Sequence, residues 1–201
     1  MTPMEGFRKE CSAFFDSLSG EGHRALVFGE GLEKQPPLML IGEAPGEQEA
    51  LQLRPFVGKA GKNLDEFLTV LQLKREEIYI TNVVKVRPSR LSPAGRIVNR
   101  PPNREEKELF TPWLMREIAI VRPQALVTLG NVALQALLGK GEVIGDHHGQ
   151  CVRAAVCCGG REQTFEVFPL YHPASIIYNR SLADVYAEDL RKLRALLDRV
   201  I

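Results

Sequence analysis

The sequence predicts an α/β fold, with a parallel sheet covered by helices on both sides. Two observations predict it. Four short apolar runs, 38–41, 78–84, 125–129 and 165–170, look like strands buried on both faces. Helical patterns separate them, and strands alternating with helices imply a parallel sheet between helical layers.

The helices follow in order. Leu64, Phe67, Leu68 and Leu71 recur at helical spacing. Leu109, Trp113, Ile118 and Val121 do so in part, after an N-cap at Asn103, and Pro112 should kink that helix or mark its true start. Asn131 reads as the N-cap of a helix ending near Gly139. The last helix opens with the capping-box pattern Ser181-x-x-Asp184 and carries Leu190, Leu193 and Leu197.

Composition sets the bounds. The chain has 201 residues, of which 44% are hydrophobic and 25% charged, with formal net charge +1. That suits one soluble domain spanning 1–201. No apolar run approaches the length that crosses a bilayer, so no membrane is expected. The N-terminal residues lack the layout of a signal peptide, and the expected location is the cytoplasm. Cys11, Cys151, Cys157 and Cys158 form no CxxC pair and are expected reduced. Arg87, Arg90, Arg96, Arg100 and Arg104 fall in a segment without acids, which is either a solvated loop or a surface facing phosphates.

Open parallel sheets bind ligands beyond the carboxyl ends of their strands. After the first run comes Gly42-Glu43-Ala44-Pro45-Gly46, at the second Thr81-Asn82, after the third Gly130-Asn131, and after the fourth Tyr171-His172-Pro173-Ala174-Ser175. A carboxylate, an amide and an imidazole therefore share one rim. Glu43 can position or activate a water. Asn82 can donate and accept in one plane, which suits the edge of a base. His172 can hydrogen-bond an oxygen gaining negative charge. Phe56 is either core or a stacking face. GxGxxG after the first strand, GxxxxGK[ST], GxSxG and HExxH are all absent, which removes the fingerprints of dinucleotide, P-loop, nucleophile-elbow and zincin chemistry. His147 and His148 are adjacent, not at ligand spacing.

These residues resemble a known family. Gly42–Gly46 with Arg54-Pro55-Phe56-Val57-Gly58-Lys59-Ala60-Gly61 is similar to the first motif of the family 4 uracil-DNA glycosylases. Ile80-Thr81-Asn82-Val83-Val84-Lys85, Arg100-Pro101-Pro102-Asn103-Arg104, Leu129-Gly130-Asn131 and Tyr171–Ser175 resemble their later blocks, in the same order. The resemblance implies a three-layer α/β/α sandwich around a four-stranded parallel sheet. It also implies excision of uracil from single- or double-stranded DNA by a monomer, through hydrolysis of the N-glycosidic bond after base flipping. Phe56 would then stack on uracil, Asn82 would read its edge and reject cytosine, Glu43 would serve the water and the sugar, and His172 would bind the uracil O2. DNA contacts are implied at Gly42, Ala44, Pro45 and Gly46, at Pro173, Ala174, Ser175 and Arg87, and at Ile176 or Ile177 as a wedge. Another deaminated base, or a non-catalytic binding role, are the alternatives.

One departure is systematic. Family 4 members hold a four-iron, four-sulfur cluster with four cysteines. Here Cys11 matches the first, but Phe14, Val86 and Phe110 stand where the others belong. No cofactor is therefore expected, with the site refilled as apolar core.

Overall fold

The structure is a computed structural model that describes residues 1–18, 25–158 and 160–200, without the side chains of Cys158, Arg161, Ile177, Tyr178 and Val200. In chain order the elements are α1 (Pro3–Leu18), β1 (Glu30–Gly31), β2 (Leu38–Gly42), α2 (Glu47–Gln52), α3 (Lys59–Leu71), a 3-10 turn (Arg75–Glu77), β3 (Tyr79–Asn82), β4 (Ser89–Leu91), β5 (Ile97–Asn99), α4 (Arg104–Val121), β6 (Ala125–Leu129), α5 (Asn131–Leu138), α6 (Ile144–His147), β7 (Val152–Cys158), β8 (Arg161–Leu170), α7 (Pro173–Tyr178) and α8 (Leu182–Val200).

The four expected strands are parallel neighbours in the order β3-β2-β6-β8. The sheet is wider than expected, because β1 and β7 extend it antiparallel to six strands. Both additions lie at edges. β1 is two residues long, and β7 pairs only with β8 through a hairpin, so neither carries the apolar run of a doubly covered strand.

Alternation along each strand builds two cores. Met39, Ile41, Tyr79, Leu126 and Val167 face α1, α4 and α5. Leu38, Leu40, Ile80, Val127 and Phe168 face α3 and α8. β2, β3, β6 and the C-terminal part of β8 are buried on both sides, giving three layers with the sheet in the middle. The chain runs from β2 out to β3 and then crosses back to β6. The winding thus reverses at β2, the strand that ends on Gly42.

Several local expectations shift. α4 does begin after Asn103, whose Oδ1 accepts from the Glu106 N–H at 2.8 Å, but it runs unbroken through Pro112. Asn131 is the first residue of α5 and Gly130 its N-cap; the Asn131 Oδ1 accepts instead from the Ile144 N–H at 2.8 Å, tying α6 down. The Ser181 hydroxyl donates to Asn179 Oδ1 at 2.7 Å, so it binds the preceding turn. Among the described residues, no helix is long and apolar enough to cross a membrane.

Candidate functional site

β2 and β3 end level with each other, with Gly42 beside Asn82 in the parallel register. Their continuations stay joined, since the Val83 and Val84 N–H groups donate to the carbonyls of Gly42 and Glu43 at 2.9 and 3.0 Å. Period-2 alternation puts Asn82 on the α3 side, against the ring of Phe56. Only glycine fits at position 42. A Cβ there would stand 2.4 Å from Asn82 Oδ1 and 2.5 Å from Phe56 Cζ.

Phe56 is buried and left-handed, with φ of 53°. For a bulky residue this is strained backbone, worth about 1–3 kcal/mol. Arg75 holds the turn by donating to the carbonyls of Pro55 at 2.8 Å and Phe56 at 3.1 Å. Glu30 and Asp65 in turn fix the guanidinium. Gly61 leaves room for the turn, because a Cβ would meet the Phe56 carbonyl oxygen at 2.0 Å.

His172 follows β8 and caps α7. Its Nδ1 accepts from the Ala174 N–H at 3.2 Å, which assigns the proton of the neutral ring to Nε2. Burial pushes its pKa down to about 4, against a smaller opposing pull from Glu49, so the ring stays neutral at pH 7. Its ring lies 5.8 Å from that of Phe56, at an interplanar angle of 26°. Glu43 is half-buried, and burial raises its pKa, with Lys107 acting in the opposite direction.

Phe56, Asn82 and His172 open on a cavity of about 490 Å³, lined also by Ala44, Glu49 and Asn99; Glu43 is not among its lining residues. Inside it, Asn82 is 2% exposed, and its Oδ1 is buried with no hydrogen-bond partner among the described residues. A buried acceptor without a partner costs about 1–3 kcal/mol, so it marks a place kept for a donor from outside. A larger concavity of about 690 Å³ lies between α4 and α5, over Val83, Val132 and Ala136, but no such group converges there.

The superfamily whose profile matches residues 28–195 is described as the Uracil DNA glycosylase superfamily. The chain belongs to the uracil-DNA glycosylase superfamily. It is 37% identical over 174 residues to a type-4 uracil-DNA glycosylase of Sulfurisphaera tokodaii, covering 85% of this chain and 74% of that protein. It is 34% identical over 177 residues to the type-4 enzyme of Thermotoga maritima, covering 87% and 84%. A type-5 uracil-DNA glycosylase of Pyrobaculum aerophilum is 31% identical over 180 residues, covering 79% and 71%.

In this member of the superfamily, Ala44 and Gly46 line the cavity wall and Pro45 and Pro173 are buried beneath the turns. Ala174 lines the cavity, and Ser175 is half-buried behind it. Ile176 packs against the core, while the Ile177 side chain lies outside the described part. Arg87 stands at the mouth, where its Nε donates to Asn99 Oδ1 at 2.7 Å and its guanidinium pairs with Glu47 at 3.3 Å.

Sequence reasoning missed Glu49. It is 8% exposed, and its two oxygens accept from the Gly46 N–H at 3.1 Å and the Gly58 N–H at 2.9 Å. One carboxylate thus clasps the turn after β2 to the turn after Phe56. The Gly46-x-x-Glu49 spacing of an N3 acid was the available signal; the reach to Gly58 was not. Arg75 had no local signal at all.

The residues at the iron–sulfur positions do not fit a cluster. Cys11, Val86 and Phe110 are buried together in one core. Phe110 stacks on Phe15 at 4.2 Å, and Phe14 packs on Trp113 at 5.3 Å. Burial pushes the Cys11 thiol up to about 12, as expected for a thiol packed in apolar core. Among the described residues, no group of three or more His, Cys, Asp or Glu is placed to hold a metal ion.

Proposed function

We propose that this protein removes uracil from DNA by hydrolysing the N-glycosidic bond. The observation that carries the reading is the partnerless Asn82 Oδ1, buried beside Phe56 and the His172 ring. Uracil presents an N–H flanked by two carbonyl oxygens. Its N3–H would donate to Asn82 Oδ1, and its O4 would accept from the Asn82 amide. Cytosine has an acceptor at N3 and would leave two acceptors facing each other, a mismatch worth several powers of ten in rate.

Each residue then has a stated task. Phe56 offers a face to the flipped base. As the C1′–N1 bond breaks, its electron pair passes to the base as a uracil anion. The Nε2–H of neutral His172 donates to O2, where that charge gathers. Glu43 orients the water that adds to C1′ and supports the developing positive charge on the sugar. Its burial-raised pKa suits it to accept the water's proton. Gly42, Ala44, Gly46 and Ser175 form the edges against which the phosphates close, and Arg87 faces the same mouth. We also infer that the chemistry proceeds without an iron–sulfur cluster, supported by the apolar packing of Val86 and Phe110 around Cys11. A monomer working in the cytoplasm is the accompanying expectation.

A uracil-containing oligonucleotide treated with the protein and then alkali should break at uracil, in single and double strands. An intact strand, with a known glycosylase active alongside, rejects the reading. Hypoxanthine and xanthine substrates in the same assay tell uracil from the other deaminated bases. Metal analysis of the active sample should find no stoichiometric iron.

A further inference from the structure

The segment between Arg87 and Arg100 folds as a separate two-stranded hairpin of β4 and β5. Its base is fixed by Arg87 on Glu47 and by Arg100, which donates to both oxygens of Glu106 at 2.6 and 2.7 Å. Its tip is ordered by backbone bonds from Ser92 to Arg96 and from Gly95 to Ser92, and by the Arg96 N–H on Ser92 Oγ. Yet it carries two large apolar side chains in solvent. Leu91 is 70% exposed and Ile97 62% exposed, and they sit directly opposite each other across the strands.

Strand parity says which way they look. Ile97 and Asn99 share a face, as do Leu91 and Ser89 across from them. Asn99 lines the cavity that holds Asn82, Phe56 and His172. The apolar pair therefore continues the cavity's face outward, about 7 Å beyond Asn99 at strand spacing. Arg90 and Arg96 belong to the opposite parity. They make no ion pair or side-chain hydrogen bond among the described residues, and residues 87–104 hold no acid.

We propose that the β4–β5 hairpin is a second DNA-contacting element, in which Leu91 and Ile97 press on the bases beside the flipped nucleotide while Arg90 and Arg96 hold the flanking phosphates. The proposal rests on the cavity being the base pocket. A two-stranded ribbon is narrow enough to enter a groove of the duplex. An apolar face toward the bases and a basic face toward the backbone match the two sides it would meet there. The pair would fill the gap left by the departing base and slow its return to the stack. Single strands offer no gap to fill.

The test compares wild type with Leu91→Ser/Ile97→Ser and with Arg90→Gln/Arg96→Gln. All four side chains are exposed, so melting temperatures should match the wild type. The apolar double variant should lose about tenfold in kcat/KM on uracil in a duplex and keep its rate on single-stranded uracil. The arginine double variant should bind a duplex carrying an uncleavable abasic analogue with a log–log salt slope shallower by about 2, since each phosphate contact contributes roughly 0.9. Equal losses on both substrates, unchanged duplex rates or an unchanged salt slope overturn the proposal, and point to a hairpin that serves a protein partner or none. If wild type releases no uracil from either substrate, the base-excision reading fails by itself. The hairpin is then judged by 2-aminopurine placed next to the abasic analogue. Its fluorescence should rise with wild type and not with Leu91→Ser/Ile97→Ser, and an identical signal from both rejects the insertion.

Discussion

At position 42 the missing side chain decides the site. With Asn82 Oδ1 and Phe56 Cζ at 2.4 and 2.5 Å from any added Cβ, Gly42→Ala should displace both of the side chains proposed to hold the base. We expect a loss of at least about 10²-fold in kcat/KM, of the order seen when one positioned donor is removed, with far-UV circular dichroism unchanged. Asn82→Ala should cost a similar factor on uracil while relieving an orphaned buried acceptor, so its melting temperature should not fall by the usual amount for a buried deletion. The pH profile follows from the two titrating groups. In the proposed mechanism Glu43 works ionised, and its pKa is raised by burial, so the rate should begin to fall on the acid side above the ordinary carboxylate range. Glu43→Gln should be slow and lack that limb. His172 titrates near 4 when folded and near 6.5 when unfolded. The unfolded chain therefore takes up the proton first, and stability is lost as pH falls from about 6.5 to 4. His172→Gln should flatten that part of a melting-temperature series; a series identical to wild type would contradict the neutral, buried ring.

Between elements, single side chains do the joining. Glu49 ties the start of α2 to the start of α3 through two backbone N–H groups. Glu49→Ala leaves both donors unpaired in a largely buried spot, which should cost about 1–3 kcal/mol in urea unfolding. Because the clasp also sets the spacing between the Glu43 and Phe56 turns, kcat should fall along with stability. Glu49→Gln keeps one acceptor and should be milder on both counts. Loss of stability with full kcat would reduce the clasp to scaffolding.

For the whole molecule, the rim stands on a buried polar network on the α1–α4 side. There, Lys85 and Glu117 form an ion pair with both side chains at 0% exposure. The Lys85 ammonium also donates to Thr81 Oγ1 at 2.6 Å and to the Asn82 carbonyl at 2.7 Å, and the Tyr79 hydroxyl donates to Glu117 at 2.9 Å. Burial beside Glu117 keeps that phenol protonated. Removing one partner strands a charge, so Glu117→Leu alone should cost about 3–5 kcal/mol, and the double variant Lys85→Met/Glu117→Leu should recover part of it. Additive losses in a double-mutant cycle would deny the coupling. Phe110→Ala opens a hole against the stacked Phe15 and should cost about 3–5 kcal/mol by chemical denaturation.

The amino-acid order by itself determined the parallel sheet and the rim. Doubly buried strands are written as continuous apolar runs, and residues that follow such strands converge whatever the loops do. Asn82 and His172 could be placed together for that reason, and the ordered motifs added Phe56; these three line one cavity, and Glu43 is not among its lining residues. Tertiary structure alone decided what long-range packing sets. β1 and β7 join the sheet as edge strands, whose pairing on one side leaves little apolar pattern to read. Glu49 and Arg75 act across turns that sequence spacing does not connect. Phe56 is held in strained backbone by Arg75, a residue 19 positions away. The segment of arginines without acids could have been a solvated loop. Its register, which turns Leu91 and Ile97 to the same side as Asn99, exists only once the two strands have paired.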